Sequence, residues 1–436
     1  MPIFLNSSDS DFTDMFEALL HTKREFDSDV DAVVATILSD VRARADVAVI
    51  ELTAKFDDFE LTPETMTFNT AEIDAAIKTV SIEERKALEL AAARIQAYHQ
   101  RQLPHDAWWT DDSSVQLGWR WTPIEKVGLY VPGGLASYPS SVLMNAIPAK
   151  VAGVENLSIC VPTPRGEVNP LVLLAARLSG VETVYRIGGA QAVGAMAYGT
   201  KTVAKVDKIT GPGNAFVAAA KRQVYGTVGI DMIAGPSEIL VIADKNNNPD
   251  WIAMDLLSQA EHDKNAQSIL ITNDAAFGAA VASAVEAALE KLERRDIAQA
   301  SWQDFGAIIV VRDLDEAAML SDRIAPEHLE LCVANAEMYS KKIRHAGAIF
   351  IGAWTPEAIG DYVGGPNHVL PTARSARFSS GLNVLDFMKR TTLAQVMPEA
   401  LRTIGAAAEK LAQSESLQAH ALSVRARIDQ LNKGVE

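Results

Sequence analysis

Residues 126–163 read KVGLYVPGGLASYPSSVLMNAIPAKVAGVENLSICVPT. Two short branched-apolar runs, KVGLYV and NLSICV, flank a stretch that opens on Ser and Pro and reads as a helix. Gly and Pro mark each junction, so the segment is strand, turn, helix, strand. The same texture recurs at TVYRIGG, KVDKITGPG, SEILVIAD, QSILITN, GAIIVV and GAIFIG, with Ala-rich helical sequence after each run. Alternation over that distance implies parallel βα units and an open α/β sheet.

Outward from this region the texture changes. Residues 9–107 carry apolar side chains at helical spacing, as in DVDAVVATILSDVRARADVAVIELTAKFD, and are expected to be mostly helical. After Pro371 the chain reads as helical again, without further strand signals. The expected organisation has four parts: 1–127, a helical segment packing with the second α/β domain; 128–235, a first α/β domain; 236–380, a second; and 381–436, a C-terminal helical arm.

The chain has 436 residues, 48% hydrophobic and 22% charged, which are globular proportions. Its 40 Lys and Arg stand against 56 Asp and Glu, a formal charge of −16, so its surface repels polyanions and nucleic acid is excluded as a partner. Cys160 and Cys332 lie in apolar stretches and read as buried thiols of a reducing cytoplasm. The N-terminus has no basic segment leading an apolar core, and no window is apolar enough to span a membrane. A soluble, non-exported chain is expected.

Three glycine turns follow branched-apolar strands: Gly133-Gly134, Gly188-Gly189-Ala190-Gln191 and Gly211-Pro212-Gly213-Asn214. If their strands are neighbours, the turns converge on the crevice where open α/β sheets hold ligands. The dinucleotide fingerprint G-x-G-x-x-G fails, because Phe216 stands where the third glycine belongs. Gln259 and His262, three apart near the end of a helix, share a face and can aim an amide oxygen and an imidazole at one ion; a capping or surface histidine is the alternative. Glu327-His328 follows Pro326 as an adjacent acid and base, or as a plain helix start. The loop GDYVGGPNHVLP holds Asp361 and His368, and Glu415 and His420 lie in the terminal arm, where a solvated face is the alternative. His21, His99, His105 and His345 receive no role. A zinc site built from Gln259, His262, Asp361 and His420 would have N and O ligands, which suits an open catalytic zinc.

Taken together, VGLYVPGG, YRIGGAQAVGAMAYGT, VDKITGPGN, GIDMIAGPSEILVIAD, DLLSQAEHD, IAPEHLEL, GDYVGGPNHVLPT and RFSSGLNVLDFMKR resemble the histidinol dehydrogenase family over nearly the whole chain. The resemblance implies two incomplete Rossmann-like domains and a cytoplasmic homodimer with shared active sites. It further implies zinc, one per subunit, and NAD, in a four-electron oxidation of L-histidinol through L-histidinal to L-histidine. By the same resemblance zinc falls on Gln259, His262, Asp361 and His420, and acid/base work on Glu327 and His328. Further substrate contacts fall on Ser237, Tyr362, His368 and Glu415, and cofactor contacts on Tyr130, Gln191 and Asn214. Two rival readings are a relative oxidising another small alcohol, such as a sulfonated propanediol, and a zinc hydrolase in which Glu327 activates water.

Overall fold

The computed structural model describes residues 2–22, 28–132, 138–233 and 235–433. The expected Gly133-Gly134 turn lies outside them. Along the chain the strands are β1 (Ile3–Asn6), β2 (Ala107–Thr110), β3 (Val115–Pro123), β4 (Lys126–Tyr130), β5 (Asn156–Cys160), β6 (Thr183–Tyr185), β7 (Lys208–Thr210), β8 (Gly229–Ile230), β9 (Glu238–Ala243), β10 (Gln267–Thr272), β11 (Ala307–Val310), β12 (His328–Cys332), β13 (Ala348–Ile351) and β14 (Met388–Val396). They fall into two compact units, Met1–Gln102 with Ile124–Phe387, and Leu103–Pro123 with Met388–Glu436.

The first unit contains two parallel sheets, in the orders β6-β5-β4-β7-β8 and β1-β11-β10-β9-β12-β13. Strand β9, EILVIA, shows why the second sheet forms. Every residue in it is buried, and alternate side chains serve opposite faces: Leu240 and Ile242 pack with Leu329 and Ile309, while Ile239 and Val241 pack with Leu257 and Trp302. A strand covered on both faces must be apolar throughout. Several helices that follow strands are opened by short polar side chains, with Asn214, Asn248, Asp274 and Asp313 each accepting a first-turn backbone N–H. No helix among the described residues is long and apolar enough to cross a membrane.

Two expectations need correction. The N-terminal segment does not pack with the second sheet as a whole. Strand β1 and helix Phe12–His21 join that sheet through Leu5, Phe16 and Leu19, whereas Val34, Leu38 and Val41 of helix Ser28–Arg44 pack on Val193, Met196 and Val217 of the first. Four residues, IFLN, are too short a run to announce a strand.

The C-terminal part is also not wholly helical. Strand β14 pairs antiparallel with β3, and β2 lies on the other side of β3, making a three-stranded sheet in the second unit. Its sequence, MKRTTLAQV, is polar and largely exposed, so it lacks the apolar run of a core strand. Helices Pro398–Ser414 and Gln418–Lys433 complete this unit, with Arg425 donating to both carboxylate oxygens of Glu409 across them.

Candidate active site

A cavity of about 910 Å³ opens in the first unit, and nine of the residues singled out in the sequence line it: Asn214, Ser237, Gln259, His262, Glu327, His328, Asp361, Tyr362 and His368. Its two sides come from opposite strand ends. Asn214 lies beyond the C-terminal end of β7, whereas Ser237 precedes β9 and His328 is the first residue of β12. The crevice therefore uses C-terminal ends of the first sheet and N-terminal ends of the second.

The acid and base do not start a helix. Helix Leu314–Ile324 ends at the buried Ala325, which takes the left-handed φ of 47°, and β12 begins at His328. One backbone unit on β9 then holds both side chains. The Glu238 N–H donates to Glu327 Oε2 at 2.9 Å, and the Glu238 carbonyl lies 2.9 Å from His328 Nδ1. Glu327 Oε2 and His328 Nδ1 approach to 3.7 Å.

A carbonyl can only accept, so Nδ1 carries the proton and Nε2 keeps its lone pair. Nε2 is buried and has no hydrogen-bond partner among the described residues; the nearest acid is Asp361, its Oδ1 at 3.9 Å. Burial pushes the His328 pKa below the ordinary imidazole value, against the opposing pull of Asp361. The result is a neutral base facing the cavity.

Gln259 occupies the last turn of helix Pro249–Ala260, and His262 lies just past the helix end, its N–H bonded to the Gln259 carbonyl at 3.1 Å. They are thus neighbours across a helix terminus rather than on one helical face. Gln259 is 1% exposed, yet neither amide atom has a partner among the described residues. An amide buried in that state is costly unless a ligand or ion completes it. Asp361 and Tyr362 end the short helix Glu357–Tyr362, and His368 turns its Nδ1 to the Asp361 carbonyl at 3.0 Å. Gln259, His262 and Asp361 therefore offer one cavity an amide, an imidazole and a carboxylate, a donor set that fits zinc with a coordination position left open.

Tyr130 and Gln191 are buried and are not among the residues lining the cavity. They meet at Gly189, whose N–H donates to the Tyr130 hydroxyl at 3.0 Å and where a Cβ would lie 2.7 Å from Gln191 Oε1. Asn214 is exposed and accepts from the Phe216 and Val217 N–H groups at 3.1 Å each. Glu415 and His420 belong to the second unit, and both are exposed.

Sequence reasoning missed the acids behind His328. Glu357 Oε1 lies 3.2 Å from His328 Nδ1, and Glu330 accepts the Glu357 N–H at 2.6 Å. Ligand atoms of His328, Glu357 and Asp361 lie within 4.8 Å of one another, a second grouping able to hold a cation; it shares Asp361 with the expected set but would engage the base itself. Burial, with other acids close by, raises Glu330 and Glu357 well above the usual carboxylate range, and burial pushes Asp255 up to about 6. His99 was also passed over. It is fully buried, and its Nε2 lies 3.4 Å from the Asn367 side chain, which bonds the Met144 carbonyl and so backs the loop carrying His368.

An acid whose folded pKa is raised adds stability below its unfolded pKa and loses it as the pH rises through the folded value. Wild type should therefore weaken from the ordinary carboxylate range up through about pH 6, where Asp255 titrates, and further as Glu330 ionises. Glu330→Gln keeps an acceptor for the Glu357 N–H. It should raise stability in urea at neutral to alkaline pH by roughly 1–3 kcal/mol and have little effect in acid. A loss of stability in alkaline solution would contradict the assignment.

The histidinol dehydrogenase family model matches residues 20–428. Histidinol dehydrogenase of Cereibacter sphaeroides is 71% identical over all of both chains, and that of Ruegeria pomeroyi is 71% identical over 99% of this chain and all of its own. The crystal structure of histidinol dehydrogenase from Elizabethkingia anophelis superposes with a TM-score of 0.94 at 38% identity, over 99% of each chain.

Proposed function

The chain belongs to the histidinol dehydrogenase family, an enzyme family of histidine biosynthesis, and from that premise we propose how its cavity carries out the oxidation of histidinol. The reading is a zinc- and NAD-dependent four-electron oxidation of L-histidinol through L-histidinal to L-histidine, performed in the cytoplasm by a homodimer. Residues 128–235 form the cofactor side, and 236–380 carry the metal and the catalytic pair. One observation carries the reading: His328, its Nδ1 held by the Glu238 carbonyl, shares a cavity with the Gln259 amide, which has no partner among the described residues.

Gln259, His262 and Asp361, with His420 of a second copy, would hold the zinc. Bound there, it supplies a fixed anchor for the imidazole and amine of histidinol. NAD supplies the hydride acceptor in each oxidation, with contacts at Tyr130, Gln191 and Asn214. The chain's own groups do the rest. His328 Nε2 takes the alcohol proton as the hydride leaves carbon. His328 passes that proton on to solvent; Glu327 then takes a proton from water, which adds to the retained aldehyde, and the again neutral His328 takes the hydrate proton in the second oxidation. Ser237, Tyr362, His368 and Glu415 complete the substrate pocket, and the surrounding acids suit a cationic amine.

NADH formation on histidinol, run beside a sulfonated propanediol and a set of hydrolysable esters, tests the substrate. Turnover of histidinol alone is expected. Turnover of the propanediol, or hydrolysis without NADH, would move the assignment to a rival.

The shared site is tested by mixing chains. His262→Ala and His420→Ala should each be inactive alone. In a mixed dimer one site receives both defects and the other receives neither, so random pairing should restore about a quarter of wild-type activity under two-fold assembly. No recovery, with exchange confirmed by mass, would show that His420 serves its own chain.

A further inference from the structure

The turn Gly211-Pro212-Gly213-Asn214 is held by a device that the mechanism does not use. Lys221, on helix Ala215–Val224, and Asp231, directly after β8, form an ion pair whose side chains are 3% and 1% exposed. Both engage the same peptide. Lys221 Nζ donates to the Gly211 carbonyl at 2.9 Å, and the Gly211 N–H donates to Asp231 Oδ2 at 2.8 Å. On its other side the turn lies close against the backbone of β4. Gly211 has a φ of +115°, and a Cβ there would lie 2.0 Å from the Tyr130 carbonyl oxygen. Since the Tyr130 hydroxyl accepts from Gly189, the ends of β4, β6, β7 and β8 are joined through this one arrangement.

A buried ion pair is a poor source of stability, because desolvation offsets its attraction and apolar replacements often do as well. Its geometry is more telling. The two charges saturate both hydrogen-bonding groups of one glycine, at the wall of the cavity that Lys221, Asp231 and Asn214 line together. Their side-chain hydrogen bonds go to the 211–214 turn of the first sheet, and among the described residues none goes to the metal or acid/base residues beside the second sheet.

We propose that Lys221 and Asp231 are positioning residues for the cofactor end of the site, presetting the 211–214 turn so that NAD meets an already formed surface. This rests on placing NAD at the first α/β half. The pair orders the turn before the cofactor arrives, so its loss falls on NAD affinity and not on the chemical step.

Lys221→Met alone strands a buried carboxylate and should lower the melting temperature. The informative variant is Lys221→Met with Asp231→Asn, which removes both charges, keeps the volume and retains an acceptor for the Gly211 N–H. Because the Gly211 carbonyl loses its Lys221 donor, the melting temperature should fall modestly below wild type but stay above that of Lys221→Met alone. The KM for NAD should rise by roughly tenfold or more, and the NADH Kd of metal-free protein, read by fluorescence, should rise in step. The KM for histidinol, the bound zinc and kcat at saturating NAD should hold. Unchanged NADH affinity in the double variant overturns the proposal, as does an equal loss of histidinol and NADH affinity. Asn214→Ser, which preserves the helix cap but removes the amide, separates this from the underlying reading. If it weakens NADH binding while the double variant does not, the cofactor site stands and the positioning role fails. If neither weakens binding, NAD is not held by this half and both fail.

Discussion

Removing the metal should abolish turnover and leave the fold in place. The donors expected to hold it are a helix end, a post-helix turn and a short helix around a cavity, while the apolar cores on both faces of the six-stranded sheet are built from other side chains. Each large apolar side chain fully buried there contributes roughly 1.5–3 kcal/mol, so the sheet does not depend on an ion as a small zinc module does. Without the ion, the Gln259 amide is again a buried polar group with no partner, and the substrate loses its anchor. His262→Ala should reproduce the chelated state. Far-UV circular dichroism should stay near wild type, and added zinc should restore turnover to the chelated wild type but not to the variant. Full activity in a preparation verified as metal-free would refute this part of the account.

Glu327→Gln should divide the two half-reactions. His328 keeps its Nδ1 bond to the Glu238 carbonyl, and the introduced amide oxygen can still accept the Glu238 N–H, so the site should hold its shape. What is lost is the base that draws a proton from water. Oxidation of histidinal should fall by on the order of 10²–10⁴-fold, and oxidation of histidinol to histidinal by much less. The two are measured separately, by supplying the aldehyde in one assay and trapping it in the other. Equal slowing of both would place Glu327 in the first step as well.

The α/β class was legible because a parallel strand covered on both faces must be apolar throughout, as EILVIA is. The residues that line the cavity stood out by type but not by geometry. Nothing in PEH distinguishes a helix start from a left-handed Ala325 that ends one helix and delivers His328 to a strand. Glu330 and Glu357 were invisible for a related reason. An acid between apolar residues reads as a solvated position, and only tertiary packing reveals that it points inward. Strand β14 failed in the opposite sense, being polar, exposed and defined by its pairing with β3 rather than by a core.

The central claim is that one cavity performs both oxidations without releasing the aldehyde. It is tested most directly by counting NADH against histidinol consumed under limiting substrate, with an aldehyde trap present. The account predicts two NADH and one histidine per histidinol, unaffected by the trap. One NADH per histidinol, with trapped histidinal in equal amount, would contradict it.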